Sequence, residues 1–296
     1  GSLTLSAGSP SIDQGNSAAP GLAGVAVDLA GNPRFRDDPG IENGAGGDVD
    51  MGAYEFQGVT PVIADRLYVN RSAGGANTGL SWEDAFTELR SALAVATPSG
   101  DEPVEIWVAA GTYTPSDSDR NAFFPLKNGV HVYGGFAGTE TSRSERNPDP
   151  ATNGTILSGD LSGNDGANWA NRGDNSFRVV IAPAGTTTTA ALDGLTIEGG
   201  FGSSGGAGLL VSGSPTLTNL IISDNASTVD NGGGLYLQSG DPGLSNVTFE
   251  GNSSAYCGGG MYVTGGTPTL SGVTFSSNST LNGPTMGYAG GGLCVE

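Results

Sequence analysis

A fixed period governs the last third of this chain. Gly232-Gly233-Gly234-Leu235 and Gly258-Gly259-Gly260-Met261 stand 26 residues apart, and Gly290-Gly291-Gly292-Leu293 follows 32 residues later. A looser copy, Gly206-Ala207-Gly208-Leu209, lies 26 residues before the first. A second beat falls between them: Leu220-Ile221-Ile222-Ser223-Asp224-Asn225, then Val247 to Asn252, then Val273 to Asn278. A period in the twenties marks a stacked repeat architecture. The apolar runs are about five residues long and alternate with small polar residues, which suits strands and is too short for helices. Two or three such strands per repeat make one coil of an all-β parallel β-helix, regular from about residue 190, with coils stacked at roughly 4.8 Å. Leu235, Val247, Phe249, Met261, Val273 and Phe275 are expected to form inward columns. One coil cannot bury such a face alone, so its neighbours must stack on it.

The polar residues of the repeat have structural work in this scheme. Asn225, Asn252 and Asn278 recur at one place, just after an apolar strand, where stacked amides would satisfy one another and the turn backbone. They are also the first residues of Asn-x-Ser/Thr triplets, as are Asn70, Asn153 and Asn246. The ladder is the expectation, with glycosylation as its alternative. The glycines permit positive φ and close backbone approach at corners. A phosphate-binding loop would need a following helix and usually a Lys, and neither is visible.

Upstream, Ser81 is placed to cap a helix near 82–96 whose apolar face is Trp82, Ala85, Phe86, Leu89, Ala92, Leu93 and Ala96. Laid over the first coil, it would protect an exposed sheet end from foreign pairing. Strands are expected at Val104–Val108, Thr112–Thr114, Val130–Tyr133, Thr155–Leu157 and Arg178–Ile181.

These motifs resemble a known group. Phe249 to Asn252 and Phe275 to Asn278, read as Phe-x-x-Asn beside Gly-Gly-small-apolar, look like the repeat of polymorphic outer-membrane-protein adhesins, within the pectin-lyase-like superfold. Val132 to Glu140, with Arg143 and Arg146, is similar to the N-terminal part of large bacterial surface β-helix proteins. Gly8 to Gly15, Asp28 to Arg34 and Asp48 to Glu55 resemble the closing segment of such proteins, which carry choice-of-anchor domains. The resemblance implies a right-handed parallel β-helix displayed outside the cell. It divides the chain into residues 1–57, a closing segment, and 58–296, the β-helix that follows. Closing segment before opening helix predicts head-to-tail continuation, within a longer polypeptide or between subunits. A join of Glu296 to Gly1 would read like Gly258 to Ser271, with residues 3–6 as the next strand.

Composition narrows the partners. Eleven basic against thirty acidic residues give a net charge of −19, which disfavours nucleic acid and anionic membranes. No segment approaches the roughly 18 apolar residues of a membrane span. The resemblance implies glycans or a host or neighbouring cell surface as partners in a secreted or cell-surface setting, and the head-to-tail join implies self-association. Cys257 and Cys294 are even in number, and a disulfide suits that setting. Their different places in the repeat, however, predict a separation beyond the roughly 7 Å Cα limit, and so buried free thiols.

Enzymatic chemistry is the alternative function. A β-helix lyase usually needs a Lys or Arg base, yet none follows Arg178, and Lys127 is the only lysine. His131 alternates with Val130 and Val132, as a strand-surface residue does. A glycoside hydrolase needs two carboxylates roughly 5–9.5 Å apart, and Asp224 and Glu250 on neighbouring coils are the candidates, with solvated turn carboxylates as the plainer reading. For metal, Asp160, Asn164 and Asp165 place oxygen ligands in a Gly-rich loop suited to calcium, although the Asp-x-Asp-x-Asp-Gly spacing and a distal Glu are missing. Asp37-Asp38 and Asp48/Asp50 are second candidates. Arg172-Gly173-Asp174 matches an integrin-binding tripeptide, a match too short to carry weight. The sequence predicts a structural or adhesive module without a catalytic site, with a polysaccharide hydrolase or lyase as the alternative.

Overall fold

The computed structural model describes residues 65–98, 102–282 and 290–296. The expectations for residues 1–57, including the two second-choice acidic pairs, lie outside the described residues. The described residues belong to one compact unit, Ile63–Glu296, which is a parallel β-helix.

Its coils are built from three parallel sheets. The longest stacks Arg66–Val69, Val104–Ala109, Val130–Phe136, Ala191–Glu198, Thr216–Ser223, Gly243–Glu250 and Thr269–Ser271 in that order, with Thr274–Ser276 also on Gly243–Glu250. A second runs from Phe124–Pro125 through Val180–Ala182, Leu209–Val211, Leu235–Leu237 and Met261–Val263 to Leu293–Val295. The third joins the two-residue strands at Phe201, Ala226, Ser253 and Ser279.

Register follows the sequence period. Leu209 pairs with Leu235, which pairs with Met261, which pairs with Leu293. Ile197, Ile222, Phe249 and Phe275 form another column. Leu235, Val247, Phe249 and Met261 are fully buried. Phe275 keeps the register, but it and Val273 are only partly buried, since they belong to the last coil described. Phe275 nevertheless stacks on Phe249, with ring centroids 5.0 Å apart.

Within each long strand the apolar pairs are three residues apart rather than two, as in Leu217/Leu220 and Leu244/Val247. The extra residue is left-handed: Gly194, Asn219, Asn246 and Gly272 all have φ between 49° and 79°. Glycine and asparagine tolerate that conformation best, which is why one strand of the repeat is kinked at a constant place.

The asparagine ladder is present. Asn225 donates from Nδ2 to Asn252 Oδ1 (3.0 Å), and Asn252 does the same to Asn278 (3.0 Å). Each amide oxygen also accepts the preceding coil's backbone N–H, from Gly200, Asn225 and Asn252. Asn225 and Asn252 are fully buried, which removes them as glycan acceptors in the folded state.

Two expectations are corrected. The N-terminal helix α1 spans only Leu89–Val95. Residues 82–88 are instead turns and bends around one bridge to the first strand: Phe86 pairs with Val69, donating to Tyr68 O and accepting from Asn70. Pairing an otherwise open sheet edge wins over the helical periodicity there. The apolar face is placed as expected, with Ala85, Phe86, Leu89, Ala92, Leu93 and Ala96 all buried. Ser81 Oγ accepts from Asp84 N (3.0 Å), a local turn rather than a cap.

The cysteines are the second correction. Cys257 and Cys294 form a disulfide with Cα atoms 5.8 Å apart. Gly258, at φ 64°, folds the chain back so tightly that a Cβ there would lie 2.9 Å from Tyr262 Cβ. Residue 257 is thereby brought beside position 262, and Cys294 pairs with Tyr262 one coil on. The offset in sequence is cancelled by the triple-glycine turn.

Two excursions leave the coils. Residues 137–154, containing the short helix α2 (Pro150–Asn153), interrupt one strand: His131–Tyr133 pairs with Ala191–Asp193, and Ile156–Ser158 resumes on Thr196–Glu198. Arg146 fastens this excursion to Asp193 through an ion pair at 2.6 Å. The second excursion, residues 160–175, builds the candidate site.

Candidate functional site

Each long strand ends at a comparable residue: Ser158, Glu198, Ser223, Glu250 and Ser276 occupy one column. A left-handed residue follows in four coils, Gly199, Asp224, Gly251 and Ser277, with φ between 52° and 74°. The loop 160–175 lies across this column. Ser176 donates to Gly159 O (2.7 Å), and Arg120 donates to Asn175 O (2.6 Å) and Phe201 O (3.2 Å), fixing the end of the loop.

Beneath it, Ser158, Asp160, Asp165, Arg172, Glu198, Gly199 and Asp224 line a partly open cavity of about 170 Å³. Asp160 Oδ2 accepts from Asp165 N (2.9 Å). Asn175, fully buried, donates to Asp165 Oδ2 (2.9 Å) and to Gly199 O (2.6 Å). Arg172 donates to Asp224 O (2.5 Å) and lies 3.4 Å from Asp165 Oδ2. Its guanidinium also sits 4.4 Å over the ring of Trp169.

Four carboxylates share this place with one guanidinium. Burial raises the Glu198 carboxyl above its usual range, and the nearby Asp224 charge adds to that; Arg172 opposes it. Burial likewise raises Asp165, against the Asn175 amide and the Arg172 charge. Carboxyls with unequal environments at one cavity can divide the work of proton donor and acceptor.

Of the sequence-predicted calcium ligands, Asp160 and Asp165 come together. Asn164 is exposed and does not join the lining; its carbonyl accepts from Asn171. Among the described residues no group of three or more His, Cys, Asp or Glu is disposed to hold a metal ion. The positive charge beside Asp165 is supplied by Arg172. Of the hydrolase pair, Asp224 lines the cavity, whereas Glu250 is exposed outside it, with its carbonyl accepting from Asp224 N (3.2 Å). The tripeptide Arg172-Gly173-Asp174 is not a free loop tip, since the Arg172 side chain is only 10% exposed.

Sequence reasoning missed Glu198 and underrated Arg172. Glu198 had a legible signal: it precedes its turn as Ser223 and Glu250 precede theirs, one coil earlier. Arg172 had none, because its partners lie in other coils. No protein-family model, curated protein or solved structure matches this chain.

Proposed function

We propose that this chain is an extracellular structural and adhesive β-helix module, assembling head to tail in a fibre or a long surface protein. One observation carries the reading. The repeat spends its distinctive residues on the scaffold: asparagines on the buried ladder, glycines on left-handed corners, and apolar residues on continuous columns. Such a design gives length and stiffness by adding coils. The Cys257–Cys294 disulfide supports an oxidising compartment. The net charge of −19 supports partners other than nucleic acid. The Phe-x-x-Asn and Gly-Gly-small-apolar resemblance supports the family of surface adhesins. Antibody labelling and protease shaving of intact source cells test the reading. Surface exposure with an oxidised cysteine pair is the expected result, and a cytosolic, reduced protein overturns it.

A carbohydrate-active enzyme is the second reading, favoured by the Glu198 carboxyl, raised by burial, lining one cavity with Asp224. It requires degradation of a neutral or acidic polysaccharide that Glu198→Gln abolishes with the fold intact.

A further inference from the structure

We propose that His131 is a proton-sensitive latch: neutral, it helps hold the Arg143 end of the 137–154 excursion on the long sheet, and on taking a proton it releases that end. This stands apart from the adhesive and the enzymatic readings, since it concerns only how the excursion is held.

The latch is a chain of hydrogen bonds on the outer face of the sheet. Trp107 Nε1 donates to Glu105 Oε2 (2.7 Å), and Glu105 Oε1 is paired with Arg143 of the excursion. The same Arg143 nitrogen, Nη1, donates to the Tyr133 hydroxyl (2.9 Å), and that hydroxyl lies 3.1 Å from His131 Nδ1. His131 and Tyr133 are two apart on one strand and so share a face; Glu105 is the register partner of His131 on the next strand. The guanidinium groups of Arg143 and Arg146 lie 4.7 and 5.2 Å from the centre of the Tyr133 ring. Tyr133 is therefore where this part of the excursion meets the strand.

Counting protons gives the direction of the switch. Arginine only donates, so the Tyr133 oxygen accepts from Arg143 and its own O–H is left to donate. His131 Nδ1 is the acceptor at hydrogen-bond distance, which makes the ring neutral with its proton on Nε2. A protonated ring carries N–H on both nitrogens. Arg143 and His131 would then aim donors at one hydroxyl, whose own hydrogen has lost its acceptor. Arg143 is the partner able to leave: its side chain is 49% exposed, whereas His131 is fixed in strand Val130–Phe136 between Glu105 and Ala191. Glu105, beside His131, can exchange Arg143 for the imidazolium.

The surrounding charges set the range. Burial holds His131 below its ordinary value of 6.5, and Arg143 adds to that; Glu105 and a hydrogen bond to the Thr189 backbone oppose it. Glu102 lines the same groove as His131, and Asp193 is paired with Arg146. The folded chain thus binds this proton less tightly than the unfolded chain. The contribution of the latch is present above the ordinary histidine range and is lost as pH falls through the lowered value. The far end of the excursion has anchors without a titrating group: Asn147 N donates to Gly135 O (2.8 Å), and Asn153 Nδ2 to Gly194 O (2.8 Å).

The test is an NMR titration of the full chain in which His131, the only histidine, is followed directly. The Nε2–H tautomer at neutral pH and a midpoint below 6.5 are expected. The indole N–H signals of Trp107, on Glu105, and of Trp82, which donates to Glu140 O (2.8 Å), should move with the same midpoint. Hydrogen exchange, corrected for the intrinsic rate at each pH, should show residues 140–146 losing protection below it while 147–153 keep theirs. His131→Gln, whose amide oxygen can accept from Tyr133 but takes no proton, should abolish that loss. Tyr133→Phe removes the donor to Nδ1 and should move the His131 midpoint upward, a readout that stands even where the glutamine variant fails to fold. An Nδ1–H tautomer, a midpoint at or above the ordinary value, indole signals indifferent to it, or the same loss of protection in His131→Gln overturns the latch.

Discussion

Asn252 shows how much one side chain carries in a solenoid. It is fully buried, accepts from the N–H and the amide of Asn225, and donates to Ile222 O (2.7 Å) and Asn278 Oδ1. Asn252→Ala leaves at least two buried groups unpaired and should cost about 2–4 kcal/mol in urea melts, at about 1–3 kcal/mol per orphaned group. Asn246→Gly, exposed and already left-handed, should change stability by less than about 0.5 kcal/mol. Glu198 makes a prediction in pH. Its carboxyl is raised chiefly by burial, so the folded state holds the proton more tightly than the unfolded state does. The resulting stability is fully present below the ordinary glutamate range and is lost as pH rises through the raised value. Glu198→Gln should therefore flatten the decline of melting temperature above the ordinary glutamate range. An unchanged profile would place the titration elsewhere. Glu140 behaves oppositely: burial acts to raise it, but backbone N–H groups of Ala137, Thr139 and Gly138 outweigh that and lower it. Its contribution is present above the ordinary range and lost in acid, as pH falls through the lowered value.

At the scale of the element, a column is worth more in its middle than at its end. Phe249 is completely buried between Ile222 and Phe275, so Phe249→Ala should cost about 3–5 kcal/mol in denaturant. Phe275 has one such neighbour and is half-exposed; its replacement should cost clearly less in the same experiment, and equal costs would mean that the last coil is covered in solution. The short helix α1 shows a conflict of the same kind. The spacing of Trp82 to Ala96 was legible as an amphipathic face, but the backbone of Phe86 is held by Tyr68 and Asn70. The helix is confined to Leu89–Val95, where no sheet edge competes.

At the scale of the whole molecule, the disulfide ties the last described coil to its neighbour across 37 residues. Reduction, or Cys257→Ala with Cys294→Ala, should lower stability by about 2–4 kcal/mol, seen as a fall in the urea midpoint. No fall would indicate that the last coil is held by its backbone pairing alone. The same coil leaves Leu270, Leu281, Leu293 and Val295 between 37% and 65% exposed. The sequence by itself determined the period, and with it the parallel register, the columns and the ladder. In a solenoid each coil meets the same neighbours, so a local repeat is also a map of contacts. Only the tertiary structure decided where the non-repeating pieces go: Phe86 on the sheet edge, Cys257 beside Cys294, Arg172 on Asp224, and Asp160 and Asp165 over Glu198. Those partners are fixed by where an excursion lands on coils formed elsewhere in the chain, and no periodicity records that landing.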